Sequence, residues 1–105
     1  MKDRRWHLRV KTSAQVVVVG ATSPCIATLE NISRSGALVS GPPAVPTGTP
    51  LNLILQLSAQ SFKQVTGQVV SAGPKGLGLE FDSVLDAPMF ERLALRNLVL
   101  SAAGL

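Results

Sequence analysis

A chain of 105 residues is long enough for one domain with a single core and too short for two. Hydrophobic residues make up 46% of it and charged residues 15%, which excludes a disordered tail. Ten Lys and Arg against six Asp and Glu leave a net charge of +4, favouring an anionic partner such as a nucleotide, a nucleic acid or an acidic lipid.

The positive charge gathers at the start. Lys2, Arg4, Arg5 and Arg9 lie within the first nine residues and Lys11 just beyond, so residues 1–9 are expected to form a flexible basic arm. No apolar stretch of signal-peptide length follows Met1, and the single cysteine, Cys25, excludes an intramolecular disulfide. A cytoplasmic location is the expectation. The apolar run Val16 to Val19 falls far short of the roughly 20 residues of a spanning helix, so no membrane insertion is expected. Cys25, beside Ile26 and Ala27, reads as a small buried residue and not as a nucleophile.

Strand signals dominate the chain up to Phe81. Val10 to Val19 alternates and then becomes a β-branched run, closing at Gly20 and the Thr22-Ser23-Pro24 turn. Cys25 to Ile32 predicts a second strand, and Gly36 to Ser40 a third. The ten residues Gly41 to Pro50 hold four prolines and two glycines, which demand a loop. Leu51, Leu53, Leu55 and Leu57 then alternate with Asn52, Ile54 and Gln56, a period-two strand with one wet face. Phe62 to Ala72 follows, with Gly67 in mid-strand predicting a bend or bulge. Gly73-Pro74-Lys75-Gly76 turns the chain into a last strand, Leu77 to Phe81.

Residues 86–100 change to helical spacing. Asp86 is placed to cap the N-terminus and Pro88 fits the first turn. Met89, Phe90, Leu93, Ala94 and Leu100 cover an apolar arc, with Arg92 and Arg96 on the solvent side. Residues 10–81 with this helix predict a small, mostly antiparallel β-barrel or sandwich, the helix plugging or flanking one end.

Nothing in the chain supports catalysis. The one histidine, His7, has no sequence-level partner for a triad, no second His or Cys stands at metal-ligand spacing, and there is no tyrosine. Gly73 to Gly78 lacks the Lys-Ser/Thr pair of a phosphate loop and leads into a strand, so it reads as a hairpin turn. No enzymatic role and no cofactor or metal are expected.

Two short motifs carry the binding chemistry. Arg5-x-x-x-Arg9 sets two guanidinium groups ahead of the first strand, where they can bond phosphate bidentately, bond the O6/N7 edge of guanine, or stack on its face. Asn31-x-Ser33-x-x-Gly36 sets an amide and a hydroxyl two residues apart, on one strand face by alternation, where they can read base edges. Gly36 either permits close approach of the backbone or supplies a positive φ. Each motif alone has a plainer reading, a solvated arm or a hairpin turn. Trp6 either stacks on a base or anchors the arm. The conjunction reads as a site for an anionic nucleotide, and a guanine dinucleotide would present all three targets of the arginines.

In this order on a β-rich chain, the two motifs resemble the PilZ family, bacterial domains that bind the second messenger cyclic di-GMP. Pro46-Thr47-Gly48, Gly67-Gln68-Val69 and Gly76-Leu77-Gly78-Leu79-Glu80-Phe81 are similar to later features of that family, so the likeness spans nearly the whole chain. It implies a six-stranded antiparallel barrel with a C-terminal helix, the ligand lying across the barrel face under the arm. It also assigns ligand-binding roles to Arg5 and Arg9 on guanine and phosphate, to Asn31 and Ser33 on guanine, and to Gly36 in the turn. Arg4, just before the motif, is associated in the family with a stacked pair of ligands, so two per chain are expected. Some members stack an aromatic ring late in the fifth strand, where this chain has Val70-Ser71-Ala72.

The function implied is a cyclic di-GMP receptor that changes its surface to signal to a protein effector, the small domain having no output module of its own. An adaptor that has lost the ligand is one alternative. A small basic barrel for single-stranded nucleic acid is another, but it would want several aromatic platforms, and the aromatics are Trp6, Phe62, Phe81 and Phe90.

Overall fold

A computed structural model describes the backbone of residues 8–20 and 23–103, with side chains as far as 95. Six strands and one helix follow one another: β1 (Val10–Val19), β2 (Cys25–Ile32), β3 (Gly36–Ser40), β4 (Pro50–Ser58), β5 (Ser61–Gly73), β6 (Gly76–Phe81) and α1 (Ala87–Ala103). Hydrogen-bonded neighbours run β1-β2-β3-β6-β5-β4 and close on themselves. Every pairing is antiparallel. The open choice between barrel and sandwich is thus settled as a six-stranded antiparallel barrel.

Alternation decides which side chains fill it. Val16, Val18, Ala27, Leu29, Val39, Leu51, Leu53, Leu55, Val65, Val69, Leu77 and Leu79 all point inward and are buried. Burying one such Val or Leu side chain stabilises the fold by roughly 1.5–3 kcal/mol. Cys25 is only half-buried at the mouth of β2, where it packs against this core. The loop from β3 to β4 has to cross one end of the barrel, because β6 occupies the place beside β3. Val45 of that loop packs on the core, and Gly48 donates its N–H to Val69 O at 2.6 Å.

The barrel closes on a short seam. β1 and β4 pair only at Val17 to Ile54, Val18 to Leu53 and Val19 to Asn52, so the first half of β1 has no β4 neighbour. Helix α1 packs against β1 and β4, with Phe90 and Leu93 buried and Met89 and Ala94 packed on the core. It flanks the barrel at this seam, and it runs to Ala103, past the expected end at 100. The Asp86 carboxylate accepts the Met89 N–H at 2.8 Å, the N-cap bond expected from sequence. Asp86→Ala should therefore lower stability by about 1 kcal/mol, and a thermal melt should show a drop of roughly 4–8 °C.

No bulge falls at Gly67 itself. It keeps register with Leu51 and with Phe81, and the irregularity in β5 falls between Val69 and Ser71. A Cβ at Gly67 would lie 2.5 Å from Glu80 O, so glycine is there to let β6 approach. No helix among the described residues is long and apolar enough to cross a membrane.

Candidate functional site

Asn31 stands at an irregular point of the barrel. The β2–β3 register shifts between Leu29 and Asn31, and the β1–β2 register shifts between Lys11 and Ala14, so Glu30 meets a break on both sides. Strict alternation from the buried Leu29 would have sent Asn31 inward. With one extra residue taken up here, Leu29 and Ile32 both enter the core and Asn31 turns outward.

That turn delivers Asn31 to Arg9. Arg9 Nη1 donates to Asn31 Oδ1 at 2.5 Å in an exposed position, joining the end of the first motif to the start of the second across 22 residues of chain. Lys11 pairs with Asn31 in the β1–β2 register and is exposed, so a second cation flanks the amide. The negative charge of Glu30 is drawn toward β3, where its Oε2 accepts from Ser40 Oγ at 2.5 Å. Thr12 Oγ1 donates to Leu29 O across the break, which ties β1 to β2 beside the site.

Ser33 sits elsewhere than a common strand face with Asn31. β2 ends at Ile32, and Ser33 opens a tight turn in which its N–H donates to Gly36 O at 2.8 Å. The residue is 1% exposed. The hydroxyl oxygen accepts the N–H of Ser35 at 3.2 Å and that of Gly36 at 3.1 Å. Both acceptor positions of the oxygen are thereby used, so the hydroxyl shapes the turn. Gly36 resolves its two alternatives in favour of close approach: its φ is not among the positive ones, and a Cβ there would lie 2.3 Å from Leu79 O. Arg4 and Arg5, with Trp6 and His7, lie outside the described residues.

Two residues of this region were not singled out from sequence. Lys11 was legible only as part of the basic run, since its place beside Asn31 depends on register. Arg34, an unspecified position within the second motif, donates from Nε to Leu85 O at 2.7 Å, 51 residues further on, a pairing with no local signal.

A closed antiparallel barrel flanked by one helix, with a cationic strand entry set against an Asn-x-Ser-x-x-Gly turn, defines a small β-barrel domain of the binding kind. The PilZ domain model matches residues 3–101, and the chain belongs to that family, whose domains are non-catalytic binding domains. The fold is similar to that of the PilZ domain of CeSA from a cellulose-synthesizing bacterium, with TM-score 0.62 and 16% identity over 90% of this chain and 98% of that one. It is also similar to the Bacillus subtilis inhibitor of motility MotI/DgrA, with TM-score 0.60 and 18% identity over 97% of this chain. The chain spans about half of that protein, 53% of its length. No curated protein sequence matches the chain.

Proposed function

We propose that this domain is a cytoplasmic receptor for cyclic di-GMP that takes the nucleotide on the outer face where β1, β2 and β3 meet, beneath the arm of residues 1–9. The observation that supports this reading best is the Arg9–Asn31 contact, because it unites both motifs at one outward-facing point. Arg5 and Arg9 grip guanine and phosphate, and Arg4 accommodates the second molecule of a stacked pair. Asn31 reads a guanine edge, and Lys11 adds charge beside the phosphates.

Ser33 and Gly36 enter this reading through the turn, which holds Asn31 at the strand end. The free protein keeps Arg9 on Asn31, so nucleotide binding exchanges one polar partner for another and leaves neither group stranded. Closure of the arm over the ligand then alters the surface offered to a protein effector.

Titration calorimetry of cyclic di-GMP into the chain, with GMP and a random oligonucleotide as controls, tests this. Saturable heat near two ligands per chain, absent with the controls, is the expected result. No heat from a folded sample would replace the receptor reading with that of a PilZ adaptor without the nucleotide. Strongly salt-dependent oligonucleotide binding would favour the nucleic-acid barrel instead.

A further inference from the structure

The turn that carries the second motif grips another part of the molecule with unusual completeness. Phe81 N–H donates to Ser35 O at 2.8 Å, and Leu85 N–H donates to Arg34 O at 2.8 Å. Arg34 Nε returns a bond to Leu85 O at 2.7 Å. The segment between β6 and α1 is therefore held at both ends by two consecutive residues of the turn. Leu85 itself is buried, and its neighbour Asp86 caps α1 through Met89 and accepts the Phe90 N–H.

These bonds form a path that packing closes. From Arg9 the path runs through Asn31 and the turn to Arg34, across to Leu85, and along Asp86 into α1. The helix packs back on β1, the strand that Arg9 enters. Open grooves flank the 82–86 segment on both sides. One, of about 350 Å³, lies against Lys63 to Thr66 and Met89. The other, of about 300 Å³, lies against Gln68 and Glu80. Asp82 and Val84 line both grooves and are exposed, and between the grooves the Asp82 N–H donates to Thr66 O at 2.9 Å, so the segment offers its side chains to either side of a fixed backbone.

We propose that Arg34 is a positioning residue that makes the nucleotide turn and the segment leading into α1 a single unit, so that ligand on Arg9 and Asn31 changes how residues 82–90 are presented to a partner. This rests on the receptor reading and supplies the route by which its signal leaves the site. The peptide-to-peptide bonds of the clamp survive any side chain at position 34; the guanidinium bond is the part that sequence controls. Removing it loosens the coupling while leaving the ligand-facing groups in place.

Amide hydrogen exchange, read residue by residue with and without cyclic di-GMP, tests the idea on the wild type, Arg34→Met and Arg34→Lys. In the wild type, saturating nucleotide should slow exchange across residues 82–90 by roughly tenfold, within the usual range of coupling between sites. Arg34→Met should bind the nucleotide within about threefold of wild type yet lose most of that response, and Arg34→Lys, which retains a donor, should restore part of it. A response of equal size in Arg34→Met, or none in a wild type that binds, would overturn the proposal.

A ligand-free arm separates this from the receptor reading. Asp86→Ala, which loosens the start of α1, should speed exchange of the Gly36 N–H in the wild-type background and not in Arg34→Met. If the chain takes no nucleotide, the receptor reading falls and so does the ligand-driven part of the proposal. The Gly36 exchange then still decides whether Arg34 couples the two segments.

Discussion

Arg9→Ala is expected to weaken cyclic di-GMP binding by roughly 30- to 700-fold, the equivalent of about 2–4 kcal/mol lost with one or two charge-assisted hydrogen bonds. The side chain donates to Asn31 in the free protein, so its loss also removes the contact between Arg9 and the second motif. A change of net charge alone should not account for this loss. Lys75→Ala changes net charge equally from the turn between β5 and β6, at the other end of β6 from Glu80, where ions screen an exposed charge within about 8 Å at physiological salt. Calorimetry at two ionic strengths checks both points. Wild-type affinity should fall with added salt, Arg9→Ala should respond less steeply, and Lys75→Ala should bind as wild type. Equal binding by Arg9→Ala and wild type would remove Arg9 from the site.

Gly36→Ala should destabilise the fold by about 3 kcal/mol, which a thermal melt would register as a fall of roughly 12–24 °C for a domain of this size. The added Cβ would stand 2.3 Å from Leu79 O. That oxygen belongs to the backbone of β6, paired with β3 from Gly36 to Val39, and cannot rotate aside as a side chain could. Gly48→Ala separates this effect from backbone strain. Gly48 has φ +89° with nothing within 4 Å of a Cβ, and its replacement should cost only about 1–2 kcal/mol, the penalty of the left-handed region. A milder effect at Gly36 than at Gly48 would mean that the β3–β6 contact yields. Because the Ser33 hydroxyl accepts the Gly36 N–H, any folded fraction of Gly36→Ala should also show faster exchange at Ser35 and at the residue introduced.

The strands were legible because their physics is local. In β4, Leu51, Leu53 and Leu55 alternate with wetter neighbours, and that period-two pattern serves any fold that buries one sheet face. The same holds for the Asp86 cap, whose donor lies three residues away. The bulge was misplaced for the converse reason: it falls between Val69 and Ser71, and what Gly67 answers to is the carbonyl of Glu80 on the adjacent strand. For Ser33 the spacing from Asn31 was read as a shared strand face, but the strand stops at Ile32 and the hydroxyl is taken up by the turn it opens.

Sequence by itself determined the elements, the single core and the two motifs, since each depends on residues near one another in the chain. Tertiary structure alone decided that β6 lies beside β3 and that α1 covers the short seam between β1 and β4. It also decided the outward turn of Asn31, which depends on register breaks with two different strands, and its meeting with Arg9. The reach of Arg34 to Leu85 belongs there too. Such pairings bring together groups tens of residues apart, and the free energy that selects them comes from closing the barrel around its core, a property of the whole chain that no local window of sequence contains.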